Sequence, residues 1–146
     1  MRNAINTAIP SIKELDKALK DLALGGSPIR TWGGRLYYVE EPKYVERFGR
    51  DMEFYYKLLN YLCQGSGADI TKETLCLYDE HPKRQEELIV TVYDENNINL
   101  PLSDKGARQE MTVLKECMSA PDISPLKLSS GGETGPSWGA LKDFAI

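Results

Sequence analysis

The sequence predicts an α+β fold: a small antiparallel sheet of four to five strands, three helices packed mainly on one face, and an irregular C-terminal tail. Three observations predict it. Apolar residues recur at helical intervals in three separated stretches. Short β-prone runs bounded by turn residues lie between them, and residues 119–146 carry neither pattern. The 146 residues suit one compact domain, read as 1–118, with 119–146 as its tail. A chain of this size buries enough surface to need neither a metal nor a disulfide staple. Hydrophobic content of 41% and charged content of 27% are globular averages, which argues against wholesale disorder.

The first helix follows Pro10. Ser11 and Glu14 have capping-box spacing, and Ile12, Leu15, Leu19 and Leu22 form one apolar stripe. Asp16–Lys20 and Lys17–Asp21 are opposite-charge pairs one turn apart, and Gly25-Gly26 ends the helix. Two β-prone runs, Pro28 to Trp32 and Arg35 to Val39, flank Gly33-Gly34 and read as a tight hairpin. Trp32 and Tyr37 are expected in the core. Glu40-Glu41-Pro42 then opens the longest helix. Its stripe is Val45, Phe48, Met52, Tyr55, Leu59 and Leu62, and Gly65 stops it. Tyr44, Tyr55, Tyr56 and Tyr61, with Phe54, carry its apolar surface more than halfway round, as expected of a helix held between two surfaces.

Beyond Gly65-Ser66-Gly67, Thr74 to Tyr78 reads as a strand and Asp79 to Arg84 as a turn. Leu88 to Tyr93 is apolar on both faces, which predicts a central strand. Asp94 to Asn97 is a turn, and Ile98 to Leu102 a short strand. Ser103 caps the last helix, with Ala107, Met111, Leu114 and Met118 on its inner face. The tail is rich in Pro, Gly and Ser and ends in Trp138, Leu141, Phe144 and Ile146.

Few residues carry chemistry. Cys63, Cys76 and Cys117 form no Cys-x-x-Cys unit and read as buried reduced thiols, so no metal, cofactor or catalytic residue is expected. One alternative is a small enzyme. It would use His81 with the acidic turn residues Asp79, Glu80, Asp94 and Glu95, and Arg35 or Arg84 would stabilise charge. A Cys76–His81 pair would need a sharp bend, because residues five apart on a strand point to opposite faces. Another alternative is a nucleic-acid-binding module through residues 30–50, where Arg30, Arg35, Lys43, Arg47 and Arg50 interleave with aromatics. Net charge of −4, and Glu40, Glu41, Glu46, Asp51 and Glu53 in or beside the same stretch, weigh against it.

The leading expectation is a non-catalytic protein–protein interaction or assembly protein: an adaptor, inhibitor or structural component. Its partner would be another protein or a homo-oligomer. Its contact residues would be Tyr44, Tyr55, Tyr56 and Tyr61, with Trp138, Leu141, Phe144 and Ile146 of the tail. Trp, Leu and Phe at near-helical spacing suit a short anchor docked in a partner's groove. The competing expectation is that the tail crosses its own domain and Trp138 plugs an apolar gap. Apolar runs are too short for a membrane span, and the N-terminus lacks a signal-peptide core. Both predict a cytoplasmic location, or a host-cell cytoplasm if the chain is viral or leaves by a non-classical route.

Phe54 to Leu59 and Leu88 to Asp94 resemble two stretches of rhabdovirus matrix proteins. The match covers under a tenth of the chain. The acidic balance and the missing basic N-terminal arm depart from that pattern, and no residue role is carried over from it.

Overall fold

The structure, a computed structural model, describes residues 8–144. The chain divides into two compact units between Asp69 and Ile70. The class is α+β, with three α-helices and small antiparallel sheets among the described residues, as the sequence predicts. Among the described residues the strands pair two by two, so four two-stranded sheets stand in place of one sheet of four to five strands.

In the first unit, helix α1 spans Pro10–Leu24. Proline takes the first helical position, where its missing N–H is no loss. Ser11 therefore lies inside the first turn, and the cap residue is Ile9, with no side-chain bond. Leu19 and Ala23 are buried, while Leu15 and Leu22 of the expected stripe remain exposed. Strands β1 (Ile29–Arg30) and β2 (Leu36–Tyr37) form the expected hairpin, with Ile29 opposite Tyr37. Leu19, Ala23, Ile29 and Leu58 make the core, and Tyr37, Tyr55 and Tyr61 pack against it.

The stretch expected to open the longest helix is not helical. Lys43–Val45 (β3) and Arg50–Met52 (β4) form a second hairpin, joined by a 3-10 turn at Glu46–Phe48 and by Gly49 at φ 60°. Glycine enters that left-handed region without a Cβ clash, so Gly49 reverses the chain in the middle of the expected helix. Cross-strand pairing of Val45 with Arg50 and of Lys43 with Met52 sets Val45 and Met52 on one half-buried face. The same two residues therefore satisfy a hairpin as well as a helical stripe.

Helix α2 spans Leu58–Asp79, after a 3-10 turn at Tyr55–Lys57. It runs through Gly65-Ser66-Gly67, the expected stop, and through Thr74 to Tyr78, the expected strand. Gly65 serves packing instead. A Cβ there would lie 2.7 Å from Thr31 Cγ2 and 2.9 Å from Tyr37 Cε2, so its absence lets the β1–β2 hairpin lie on the helix. Thr74 is accommodated because its hydroxyl donates to the Ile70 carbonyl at 2.9 Å.

In the second unit, β5 (Leu88–Val92) pairs antiparallel with β6 (Glu95–Ile98) around Tyr93 and Asp94. The turn is Tyr93-Asp94 rather than Asp94 to Asn97, and β5 is half-exposed rather than central because its sheet has only two strands. Helix α3 spans Asp104–Ser119, and Ser103 Oγ accepts the Gly106 N–H at 3.2 Å, which is the expected cap. Ala107, Met111 and Leu114 are buried as expected. Tyr78, Val113, Leu114 and Cys117 form the core, with Leu77, Ile98 and Met118 packed on it. The tail folds back as a hairpin of β7 (Glu133–Thr134) and β8 (Lys142–Asp143). Cys117 is buried, which raises its thiol pKa, but Cys63 and Cys76 are exposed. The inward positions of α2 are held by Leu58, Gly65, Thr74 and Tyr78, which leaves both cysteines facing out. No helix among the described residues is long and apolar enough to cross a membrane.

Candidate interaction surfaces

In the first unit the four tyrosines do not share a helix, since α2 begins at Leu58 and only Tyr61 is on it. Tyr44 lies on β3 opposite Asp51 and is 65% exposed. Tyr56, in the 3-10 turn, is also exposed. Tyr55 packs half-buried on the core beneath Lys20, whose ammonium sits 5.2 Å from its ring centroid. Tyr61 stacks on Tyr37 with ring centroids 5.4 Å apart. Two tyrosines therefore face outward and two support the core.

Phe54 joins Tyr56 to a cationic rim. Its centroid lies 6.3 Å from that of Tyr56, 4.4 Å from Lys57 Nζ and 5.9 Å from Lys43 Nζ. Phe48, at the β3–β4 turn, is exposed and carries Arg47 at 5.8 Å. Glu40 fixes this rim from behind. Its Oε1 accepts from Lys57 Nζ at 2.6 Å and from the Tyr61 hydroxyl at 2.5 Å. These two bonds hold the Glu40 carboxyl below its ordinary pKa, and the bond to Glu40 raises that of Tyr61.

A second carboxylate organises the β1–β2 hairpin. Asp69 accepts from the Thr31 hydroxyl, the Arg35 guanidinium and the Gly33 N–H, the last at 3.1 Å. Burial alone would raise its pKa, but these three donors outweigh burial and lower it. Ser66 adds a bond from the Trp32 N–H at 3.0 Å. Trp32 is exposed, not in the core as expected, and the hairpin's buried core position is taken by Ile29. Arg35, a charge stabiliser in the enzyme alternative, is used here to hold the hairpin. Nothing in the sequence pairs Asp69 with these residues, which lie 34 to 38 positions earlier.

In the second unit the tail presents its aromatic residue without burying it. The indole N–H of Trp138 donates to Asn97 Oδ1 at 3.0 Å, while the side chain stays 64% exposed. Trp138 opens a 3-10 turn that ends at Ala140, Leu141 follows it, and the β7–β8 pairing closes behind. Phe144 N–H donates to the Gly132 carbonyl at 2.8 Å, and the Arg108 guanidinium lies 5.4 Å from the Phe144 ring. Gly135 permits the turn, because a Cβ there would stand 2.2 Å from the Ala140 carbonyl oxygen. Trp138 thus neither fills a core gap nor trails freely. Ile146 lies outside the described residues.

The acidic turn residues are dispersed. Arg84 pairs with Asp79 at 3.2 Å on a cleft of about 460 Å³ that Cys76 and Glu87 also line. His81 Nδ1 accepts the Lys83 N–H at 3.3 Å, and its Nε2 lies 4.0 Å from Glu116. Asp94 and Glu95 belong to the β5–β6 hairpin. Among the described residues no three His, Cys, Asp or Glu side chains gather as a metal site. In a comparison with known proteins, no family model and no curated protein matches the chain.

Proposed function

We propose that this chain is a non-catalytic interaction or assembly protein, an adaptor, inhibitor or structural component that contacts a protein partner or a second copy of itself. One observation carries the reading: Trp138 is fixed at its indole nitrogen yet leaves most of its ring in water. Burying a large apolar side chain contributes ~1.5–3 kcal/mol, and here most of that gain remains unused. Tryptophan is also the side chain most enriched at interface hot spots, and a ring held in place loses little further entropy on binding. The exposed Leu141 beside it, and Tyr44, Phe48 and Tyr56 in the first unit, supply further contact residues of the same kind.

The test is size by light scattering, with retention of bound protein in a pull-down, for the full chain, a variant lacking 136–146 and W138A. The reading expects a smaller assembly or a lost partner in both variants. A monomer throughout, with an unchanged set of bound proteins, overturns it.

A further inference from the structure

Strand β5 has an unpartnered edge. Among the described residues, Leu88–Val92 pairs only with β6, and a two-stranded sheet leaves one side of each strand open. Ile89, which lies at the register shift between Leu88 and Val90, is exposed, as are Val92 and the tip residue Tyr93. Proteins usually blunt such edges with a charge or proline inside the strand, with a very short strand, or with a bulge, and of these β5 has only the irregularity at Ile89, which leaves Val90–Val92 regular. This strand, Leu88-Ile89-Val90-Thr91-Val92, contains no charge and no proline.

Its charges stand at the two ends instead: Glu86 and Glu87 before it, Asp94 and Glu95 after it. That arrangement selects the occupant. A second copy, paired antiparallel so that all five strand residues match, sets Glu86 against Asp94. A second copy paired parallel and in register sets each acid against itself. Like charges directly opposite destabilise a ladder, so self-pairing is disfavoured. Arg84, a cation close before the strand, is engaged with Asp79 at 3.2 Å. An extended segment with an apolar centre and Lys or Arg on both flanks meets apolar surface in the middle and acid at each end.

We propose that the open edge of β5 is a strand-addition site for an extended segment of a protein partner, apolar in its centre and basic at both flanks. This rests on the interaction reading above but uses a different surface from the tail. Main-chain hydrogen bonds would supply the affinity, and the flanking acids the choice of partner and the rate of encounter.

The probe is a labelled synthetic peptide, Lys-Val-Thr-Val-Thr-Val-Lys with blocked ends, compared with its Glu-flanked counterpart by fluorescence anisotropy on the full chain at low salt. The lysine-flanked peptide is expected to bind roughly tenfold tighter or better, a difference read directly as a ratio of Kd values. N-methylating alternate amides should abolish binding in one phase and spare it in the other, because an added strand bonds through one edge only. The double variant Glu87→Lys, Asp94→Lys leaves one acid and one lysine at each end and should abolish the preference. If that variant misfolds, the two N-methyl phases on the native chain still decide the question.

Equal binding of both peptides, or insensitivity to N-methylation in both phases, overturns the proposal. So does a concentration-dependent dimer that protects the β5 amides from exchange, which would assign the edge to a second copy. If the peptides fail while deletion of 136–146 still changes assembly, the edge is refuted and the interaction reading stands. If the peptides bind but that deletion changes nothing, the tail loses its role and the edge keeps it.

Discussion

The Tyr78 hydroxyl donates to Glu110 Oε1 at 2.5 Å, and both side chains are almost completely buried in the second core. The same hydroxyl lies 3.0 Å from the Glu86 carbonyl, and Glu110 Oε2 accepts the Gln85 N–H at 3.0 Å. One tyrosine and one carboxylate thus tie α2 and α3 to the segment that leads into β5. Removing the hydroxyl leaves a buried carboxylate oxygen without its donor, and an unsatisfied buried group costs about 1–3 kcal/mol. Tyr78→Phe is therefore expected to lower stability by that amount in urea unfolding. A loss below about 0.5 kcal/mol, less than a typical hydrogen bond contributes, would show that the pair is not a structural tie.

The same bond fixes an alkaline limit. Burial first, and the bond to Glu110 second, raise the Tyr78 pKa above its ordinary value. A group whose folded pKa is raised contributes stability that is complete below the unfolded value. That stability is lost as pH climbs from about 10, the unfolded tyrosine value, through the folded value. Tyr78→Phe should flatten the alkaline limb of the stability curve above pH ~10. An unchanged alkaline limb in the variant would remove Tyr78 as its source.

Acid acts on the first unit through Asp69 and Glu40, whose folded pKa values are both lowered. Their contributions are present above the unfolded carboxylate values of ~4 and fade as pH falls through the folded ones. Hydrogen exchange at Gly33 and Trp32, whose N–H groups bond Asp69 and Ser66, should accelerate as pH falls below ~4, after correction for intrinsic rates. Asp69→Asn should move that loss of protection to neutral pH. Gly33 protection that survives both acid and the substitution would show that other contacts hold the hairpin.

Tyr93 occupies the tip of the β5–β6 hairpin at φ 55° with 93% of its surface exposed. The left-handed region costs an L-residue roughly 1–2 kcal/mol, and asparagine tolerates it better than a bulky aromatic. Tyr93→Asn should relieve part of that strain and raise stability by about 0.5–1 kcal/mol, seen as a higher urea midpoint at unchanged slope. A fall in the midpoint would mean that the tyrosine ring makes a stabilising contact that outweighs the strain.

Features written in adjacent residues were legible from the sequence. Helix α1, the Gly33-Gly34 hairpin, strand β5 and the Ser103 cap each depend on signals a few positions apart, and each is present. The surfaces depend on distant residues. Asn97 holds Trp138 from 41 positions away, and Asp69 reaches back to Thr31 and Arg35, so neither bond leaves a local trace. The misread helix shows a different failure. Val45, Phe48 and Met52 fit a helical stripe, yet Gly49 turns that stretch into a hairpin. A single glycine leaves a weaker trace in the sequence than a stripe of apolar residues, although it decides the turn.

Gly65, the expected helix stop, and Gly67, in the loop expected beyond it, both lie inside α2, which makes the point measurable. Alanine is favoured over glycine in a helix interior by roughly 1 kcal/mol. A Cβ at Gly67 meets nothing within 4 Å, so Gly67→Ala should gain stability of that order. A Cβ at Gly65 falls 2.7 Å from Thr31 Cγ2 and 2.9 Å from the Tyr37 ring, inside contact distance of side chains held by Asp69 and by Tyr61. Gly65→Ala should therefore lose stability despite its better helix propensity, and the loss should come with faster exchange at Gly33. Overpacking of this kind typically costs about 1–3 kcal/mol, enough to reverse the sign of the propensity gain. Stabilisation by both substitutions would mean that the hairpin does not lie against α2 at Gly65, and destabilisation by both would mean that the helix does not continue through Gly67.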